Sequence, residues 1–98
     1  MPALNPKEIR EHLTAVPEWC KRGQAIHRTF AFDGFLHSIE FVNRVAIKAQ
    51  KLNHHPDIDI RYSKVTLTLS THDQGGITEK DFALARQCDE LLAKYFAS

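Results

Sequence analysis

The stretch Gln50-Lys51-Leu52-Asn53-His54-His55-Pro56 decides the fold, because a long helical pattern ends in it and a strand pattern follows it. Before this stretch, apolar residues recur at steps of three and four, which predicts an amphipathic helix that begins at an Asp33 N-cap. The residues of this apolar stripe are Phe35, Ile39, Val42, Ala46 and Ala49. Pro56 disfavours the α region at the residue before it, so the helix is predicted to end near Leu52 or Asn53. Two imidazoles therefore lie where a helix gives way to a strand.

Two alternating patterns downstream predict a β-hairpin. From Asp57 to Tyr62 the apolar residues occupy every second position, and the alternation resumes after a turn at Ser63-Lys64. The apolar positions are Ile58, Ile60 and Tyr62 in the first strand and Val65, Leu67 and Leu69 in the second. Continued alternation places His72 with Ser70 on the polar face of the second strand, if the strand extends that far. His72 is thereby expected at the same edge of the sheet as the two histidines before Pro56.

The remaining elements complete a regular order. Asn5 and Pro6 are typical of a helix N-cap and a first helical position. A hairpin with a tight glycine turn is predicted from residues 18–22 and 24–32, and Thr78 is the predicted N-cap of a last helix. The order helix, strand, strand, helix, strand, strand, helix predicts an α+β, two-layer fold. In it, three helices cover one face of a four-stranded antiparallel sheet.

The last helix carries two apolar stripes, although a small single-sheet domain needs only one. The stripes are Phe82/Ala85/Leu92/Phe96 and Leu84/Cys88/Leu91/Tyr95. On the long helix, Phe41 and Val45 also lie outside the predicted core stripe. Surplus apolar surface of this kind is typical of subunit contacts, so self-association into a homo-oligomer is predicted.

Length and composition limit the classes of function. A chain of 98 residues with 43% hydrophobic and 26% charged residues is expected to form a single folded domain, residues 1–98. The formal net charge of +1 gives no field that would recruit nucleic acid or an acidic membrane surface. The sequence has no apolar signal segment and no apolar run that could span a membrane, so a cytoplasmic protein is expected. Cys20 and Cys88 lack disulfide or metal-site spacing and are expected to be free thiols.

His54, His55 and His72 form the candidate cluster of chemically active side chains. Imidazole gives or takes a proton near neutral pH, so converging histidines suit a reaction that needs an acid and a base. His54 follows a helix C-terminus, where the helix dipole favours the imidazolium form, and this indicates the acid role. Spacing alone leaves two other interpretations open. The three histidines could be surface or capping residues, or they could bind a metal, which adjacent histidines in extended backbone support poorly.

The run Ala46–Asp81 contains His54-His55-Pro56, Tyr62, Ser70-Thr71-His72 and a closing Asp81. With this joint spacing it resembles the pterin-4a-carbinolamine dehydratase family. The resemblance extends to Trp19, the first hairpin and the long helix, and so covers nearly the whole chain. One position departs from the family pattern, because Gln50 stands where the family usually has Glu, and an amide cannot act as a carboxylate.

The resemblance implies a cofactor-free hydro-lyase that removes water from 4a-hydroxytetrahydropterin (pterin-4a-carbinolamine) to give quinonoid dihydropterin, in support of tetrahydropterin recycling. It implies that His54 and His72 are the proton-transfer pair and that His55 mainly binds and positions the ring. The implied substrate-binding residues are Asn53, His54, His55, Ser70, Thr71, His72, Trp19 and Asp81. Among them, Trp19 is expected to offer a stacking or wall surface, and Asp81 either braces the site or only favours the start of the last helix.

The resemblance also implies a homodimer or homotetramer and a functional link to an aromatic amino acid hydroxylase. The alternative from a different class is a dimerising binding or assembly factor on the same fold, in which the pterin site is vestigial. Gln50 favours this alternative, whereas the three intact histidines favour the enzyme.

Overall fold

The computed structural model describes residues 2–96 and shows, within them, three α-helices, four β-strands and one short 3-10 helix. In chain order these are α1 (Pro6–Leu13), β1 (Cys20–Arg22), β2 (Ala25–Ala31), α2 (Phe35–Leu52), β3 (Asp57–Arg61), β4 (Lys64–Leu69), the 3-10 helix (His72–Gln74) and α3 (Glu79–Tyr95). The predicted α+β order is confirmed, with the 3-10 helix as an addition. No helix among these residues is both long enough and apolar enough to cross a membrane.

The four strands form one antiparallel sheet in the order β1-β2-β4-β3. The central pair is β2 and β4, and Phe30 faces Val65 in their register. The face covered by the helices carries the buried residues Ile26, Phe30, Val65, Leu67 and Leu69. On the opposite face, the hydroxyls of Thr29 and Thr66 hydrogen-bond to each other at 2.8 Å. The helices therefore cover one face of the sheet, as predicted, and leave a polar face open.

The buried stripe of α2 differs from the predicted one. The prediction comprised Phe35, Ile39, Val42, Ala46 and Ala49, whereas the buried residues are Ser38, Phe41, Val45 and Ala49. The ring centroid of Phe41 lies 4.7 Å from that of Phe30 and 5.0 Å from that of Phe32. Both stripes have helical spacing, and the position of the sheet decides which one is covered. The prediction that Phe41 and Val45 are surplus surface is therefore wrong.

Both apolar stripes of α3 lie in the core of this chain, so the prediction that one of them is surplus is also wrong. The buried residues of α3 are Asp81, Phe82, Leu84, Ala85, Cys88 and Leu91, and Leu92 and Phe96 pack partly against the same core. Several elements contact this helix, because His12 of α1 stacks on Phe82 and Arg28 of β2 pairs with Asp89. Tyr95 is the exposed exception, at 44%.

Two of the three predicted helix N-caps are confirmed. The Asn5 side chain accepts from the backbone N–H of Glu8 at 2.8 Å, and the Glu8 side chain accepts from the backbone N–H of Asn5 at 3.0 Å. Thr78 begins α3 with the same reciprocal pattern, in which the partner is Asp81. Asp33 is not the N-cap of α2, because Gly34 occupies that position and has no side chain that could cap the helix. Burial of one face from Ser38 onward, rather than a side-chain cap, therefore stabilises α2.

The turn between β3 and β4 lies one residue earlier than predicted. It consists of Tyr62 and Ser63, because Arg61 pairs with Lys64 across the hairpin. Tyr62 has a left-handed backbone with φ +53, and its side chain is 70% exposed. The prediction that Tyr62 continues the apolar face of β3 is therefore wrong. The rest of that face belongs to an edge strand, and Ile58 remains 38% exposed there.

Candidate active site

The end of α2 presents two histidines in succession. Asn53 is the C-cap, with left-handed backbone angles of φ 51 and ψ 45. Asparagine adopts this conformation more readily than most residues. The backbone N–H of His54 donates to the carbonyl of Ala49 at 3.0 Å, which closes the helix. The reversal leaves His54 buried and His55 exposed.

His54 is held by a buried carboxylate. Its Nε2 lies 2.5 Å from Oδ1 of Asp81, and the two residues are 8% and 0% exposed. An ionised carboxylate can only accept hydrogen bonds, so Nε2 carries a proton and donates a hydrogen bond to Asp81. The carboxylate fixes the orientation of the ring and can compensate the charge of an imidazolium. Nδ1 is the ring nitrogen that remains for a substrate.

Asp81 is itself held by two further donors. Its Oδ2 accepts from the hydroxyl of Thr71 at 3.0 Å and from the backbone N–H of Thr78 at 2.9 Å. The hydroxyls of Thr71 and Thr78 also hydrogen-bond to each other at 2.8 Å. We call His54, Thr71, Thr78 and Asp81 the Asp81 cluster. Asp81 thus contacts His54 and also caps the start of α3.

His55 has an uncharged partner. Its Nε2 lies 2.9 Å from Oε1 of Gln50 on the last turn of α2, and both residues are exposed. An amide oxygen accepts a hydrogen bond without carrying a charge. We call these two residues the Gln50–His55 pair. Gln50, the one departure from the family pattern, is therefore in direct contact with the second histidine, which spacing alone did not indicate.

His72 begins the 3-10 helix, so the strand does not extend far enough to place it on the polar face with Ser70. The strand β4 ends three residues earlier, and Thr71 forms a single bridge to Gly76. The chain turns between these two residues, and Gly75 closes the turn with φ +75, a conformation that glycine adopts without strain. The side chain of His72 is exposed and follows directly after Thr71. The chain connection therefore keeps His72 at the border of the Asp81 cluster.

Two hydroxyls that were expected to bind substrate are engaged within the protein. Ser70 Oγ donates to the backbone carbonyl of Gln24 at 2.6 Å, which ties the end of β4 to the first hairpin. Thr71 donates to Asp81 and is 6% exposed. Asn53, by contrast, is exposed at the C-cap of α2, next to the two histidines.

Trp19 is buried away from the Asp81 cluster. It is 3% exposed, and its Nε1 donates to Oδ1 of Asp89 at 2.9 Å. The same oxygen accepts from Nη1 of Arg28 at 2.7 Å. On α3, Asp89 lies about two turns beyond Asp81, roughly 12 Å along the helix axis. Trp19 therefore fills the core and does not provide the open stacking surface that the resemblance implied.

The two thiols lie outside the Asp81 cluster. Burial, reinforced by the neighbouring Asp89 carboxylate, raises the pKa of the Cys88 thiol to about 12. This thiol is protonated and therefore unreactive at neutral pH. Cys20 is exposed on β1. Across residues 2–96, no group of three or more His, Cys, Asp or Glu side chains is arranged to hold a metal ion.

The end of α2 combines two imidazoles that have unlike partners. A histidine held by a buried carboxylate can release a proton from Nδ1 and take one up again. An exposed imidazole beside it can hydrogen-bond to a polar ring. This combination suits acid–base elimination from a small polar molecule.

Comparisons with known proteins show which family the chain resembles over most of its length. The sequence model of the family described as Pterin 4 alpha carbinolamine dehydratase matches residues 2–91. Two bacterial proteins with the name "Putative pterin-4-alpha-carbinolamine dehydratase" are similar over most of the chain. The one from Chloroflexus aurantiacus is 51% identical over 92 residues, which cover 94% of this chain and 99% of the relative. The one from Acidobacterium capsulatum is 49% identical over 92 residues, which cover 94% of this chain and 100% of the relative.

Two solved structures have a similar fold. The crystal structure of a transcriptional coactivator/pterin dehydratase from Brucella melitensis has a TM-score of 0.87 at 36% identity, over 91% of this chain and 97% of that one. A pterin dehydratase-like protein identified as a RuBisCO assembly factor in the alpha-carboxysome has a TM-score of 0.65 at 25% identity, over 76% of this chain and 88% of that one. The same fold thus occurs in proteins described as a dehydratase and as an assembly factor.

Proposed function

The chain belongs to the pterin 4 alpha carbinolamine dehydratase family, and on this basis we propose that it is a hydro-lyase that dehydrates 4a-hydroxytetrahydropterin to quinonoid dihydropterin. The observation that carries the proposal is the contact between His54 and Asp81, in which a buried carboxylate orients a histidine of the family motif. A histidine fixed in this way is suited to transfer a proton to a bound ring.

His54 is the general acid in this proposal. Because Asp81 holds Nε2, the proton for the substrate comes from Nδ1. It goes to the departing 4a-hydroxyl, which leaves as water when the C4a–O bond breaks. The lone pair of N5 forms the C4a=N5 double bond, and N5 then loses its proton. General acid–base catalysis of this kind contributes about 10²- to 10⁴-fold to a rate.

His72 accepts the N5 proton in this proposal, and His55 binds and positions the ring. His72 is exposed beside Thr71, so it is accessible to a ligand at the border of the Asp81 cluster. Asn53 offers further hydrogen bonds from the C-cap of α2. The proposed reaction needs no metal or cofactor, because the fused pterin ring supplies the conjugation that drives elimination.

Turnover of freshly generated 4a-hydroxytetrahydropterin tests the proposed function. Purified protein should accelerate the loss of the absorbance of this compound over the rate in buffer. Folded protein that gives no acceleration would rule the activity out. The rate should also survive treatment with a chelator, and a loss that zinc restores would instead support a metal-dependent reaction.

A non-catalytic assembly role is the alternative on the same fold. The similarity to the RuBisCO assembly factor is weaker than that to the Brucella melitensis protein, with TM-scores of 0.65 and 0.87. The contacts of His54 and His55 with Asp81 and Gln50 support the enzyme, because an assembly surface has no need of oriented imidazoles. A folded but inactive protein in the turnover assay would favour the assembly role.

Self-association into a homodimer or homotetramer is also proposed. Within residues 2–96, the exposed large hydrophobic residues are Phe35, Leu36, Ile47, Ile58, Tyr62 and Tyr95. Two of them lie on elements that could meet a second copy, Ile47 on the exposed side of α2 and Ile58 on the edge strand β3. Light scattering over a range of concentrations tests this proposal, and a monomer at every concentration would contradict it.

Within the cell, we place the reaction in the cytoplasm, downstream of an aromatic amino acid hydroxylase, as a step of tetrahydropterin recycling. Support for this placement comes from family membership alone. A hydroxylase reaction supplemented with the protein should accumulate less 4a-hydroxytetrahydropterin than the same reaction without it. Equal accumulation would contradict the placement.

A further inference from the structure

We propose that Gln50 is a positioning residue, which orients the His55 ring through an uncharged contact at Nε2 and leaves Nδ1 to face a ligand. The contact that carries the proposal is the 2.9 Å distance between Nε2 of His55 and Oε1 of Gln50. The oxygen of an amide accepts a hydrogen bond, so it pairs with a protonated Nε2. In the neutral ring, the second ring nitrogen is then an acceptor.

The local backbone keeps the two side chains together. Gln50 lies on the last turn of α2, and the left-handed Asn53 reverses the chain immediately after the helix. The hydrogen bond from the N–H of His54 to Ala49 fixes the reversal, so that His55 returns toward the helix end. The pair is therefore a product of the same C-cap that buries His54.

The charges around His55 make the uncharged partner significant. Its ionisable neighbours along the chain are Lys51 of α2, His54, and Asp57 at the start of β3. Lys51 and Asp57 have opposite charges, and His54 is already paired with Asp81. A glutamate at position 50 would add a carboxylate in contact with His55 and would favour the imidazolium. The Gln50 amide adds no such charge, so it lacks the attraction by which a glutamate would favour the imidazolium.

The consequence for binding rests on the proposed function. A neutral His55 presents the Nδ1 lone pair, which recognises an N–H donor of the pterin ring. An imidazolium has donors on both nitrogens and cannot accept a hydrogen bond. Gln50 thereby extends substrate binding to a lower pH than a glutamate would allow, while the proton transfer at His54 is unaffected.

Nitrogen NMR of the His55 ring tests the contact without any substrate. In Gln50→Glu, the pH at which the imidazolium forms should rise by roughly half a unit, as expected for an exposed ion pair. In Gln50→Ala, the ratio of the Nε2–H to the Nδ1–H form should fall about five-fold, because one hydrogen bond is lost. Gln87→Glu, which adds the same charge on α3, is the matched control and should leave the His55 signals unchanged. Wild-type signals in both Gln50 variants would overturn the proposal.

Kinetics then test the role toward substrate. Near about pH 6.5, where histidine ordinarily titrates, Gln50→Glu should raise KM and leave kcat unchanged, and the difference in KM should vanish at higher pH. An unchanged KM in a variant whose imidazolium is seen by NMR would overturn the binding role. Wild-type protein without dehydratase activity would refute the proposed function, whereas the NMR measurement would still decide whether Gln50 holds His55.

Discussion

His54 and His55 are neighbours in the chain, yet one belongs to a buried cluster and the other to an exposed pair. His54 is paired with the Asp81 carboxylate, while His55 is paired with the Gln50 amide. The difference arises at Asn53, whose left-handed backbone turns the first imidazole inward and leaves the second in solvent. Two identical side chains thereby acquire different chemistry from their partners and not from their own sequence position.

The comparison also separates function from stability. The Asp81 cluster is buried and contributes to the start of α3, so a change in it affects the fold as well as the site. The Gln50–His55 pair is exposed, and exposed polar contacts contribute little to the free energy of unfolding. Variants of the Asp81 cluster should therefore change both activity and stability, whereas variants of the Gln50–His55 pair should change activity with little effect on stability.

Replacing His54 should have the largest effect. His54→Gln keeps an amide donor for Asp81 but cannot transfer a proton, so kcat should fall by about 10²- to 10⁴-fold, with the protein still folded by circular dichroism. His72→Gln should act in the same direction, and His55→Gln should mainly raise KM. His27→Gln, on β2, is the control. Normal turnover by His54→Gln would show that His54 is not the general acid, and would contradict the difference in role between His54 and His55.

Removing Asp81 should lower the free energy of unfolding more than any change in the Gln50–His55 pair. Asp81→Ala leaves Thr71, Thr78 and His54 without their acceptor, and loss of a buried, hydrogen-bonded group costs about 2 to 4 kcal/mol. Gln50→Ala should unfold at nearly the wild-type denaturant concentration. Chemical denaturation followed by tryptophan fluorescence measures both variants, and equal midpoints would contradict the contrast between the two regions.

The two cysteines repeat the contrast between buried and exposed groups. In the folded protein the Cys88 thiol keeps its proton up to about pH 12, whereas in the unfolded chain it ionises near its ordinary pKa of 9.0. Its contribution to stability is therefore complete below pH 9 and declines above it, by up to about 1.4 kcal/mol for each pH unit. Cys88→Ala should reduce this decline. Iodoacetamide should modify exposed Cys20 in the folded protein and Cys88 only after unfolding, and equal rates would contradict the burial.

The smallest expected effect concerns one hydrogen bond of the Asp81 cluster. Thr71→Val retains the shape of the side chain but removes the donor to Asp81, which should cost about 1 kcal/mol of unfolding free energy. Thr68→Val is the matched control, because Thr68 is half-buried on the open face of the sheet. Thermal unfolding compares the two variants. A loss of stability in Thr68→Val as large as that in Thr71→Val would show that the cluster is not specifically coupled to the fold.

The sequence predicted those features that depend on local chemistry. The helix starts at Asn5 and Thr78 follow from capping residues, and the end of α2 follows from Pro56. These signals act over three or four residues, so no knowledge of the rest of the fold was needed. The grouping of His54 with Asp81 required more, because 27 positions separate them along the chain. The resemblance to a family placed both residues in one site, whereas their spacing in the sequence did not indicate a contact.

Other features depend on packing that the sequence does not reveal. The α2 stripe was misplaced because Phe41 and Phe35 both have helical spacing, and only the sheet selects between them. Trp19 was expected at the site, but its indole N–H is satisfied by Asp89 inside the core. The turn at Tyr62 and the 3-10 helix at His72 both end alternating patterns that would otherwise have continued. Each error is a case in which tertiary contacts override a valid local pattern.

Asp81 is the third residue of α3, and the same carboxylate both closes the first helical turn and holds His54. Fraying of that turn would consequently release the imidazole. The fraction of protein in which Asp81 holds the imidazole is then set by local opening of this turn. Amide hydrogen exchange at the start of α3 can measure the free energy of that opening. Conditions that leave the sheet intact but open this one turn should abolish the proposed activity before the protein unfolds.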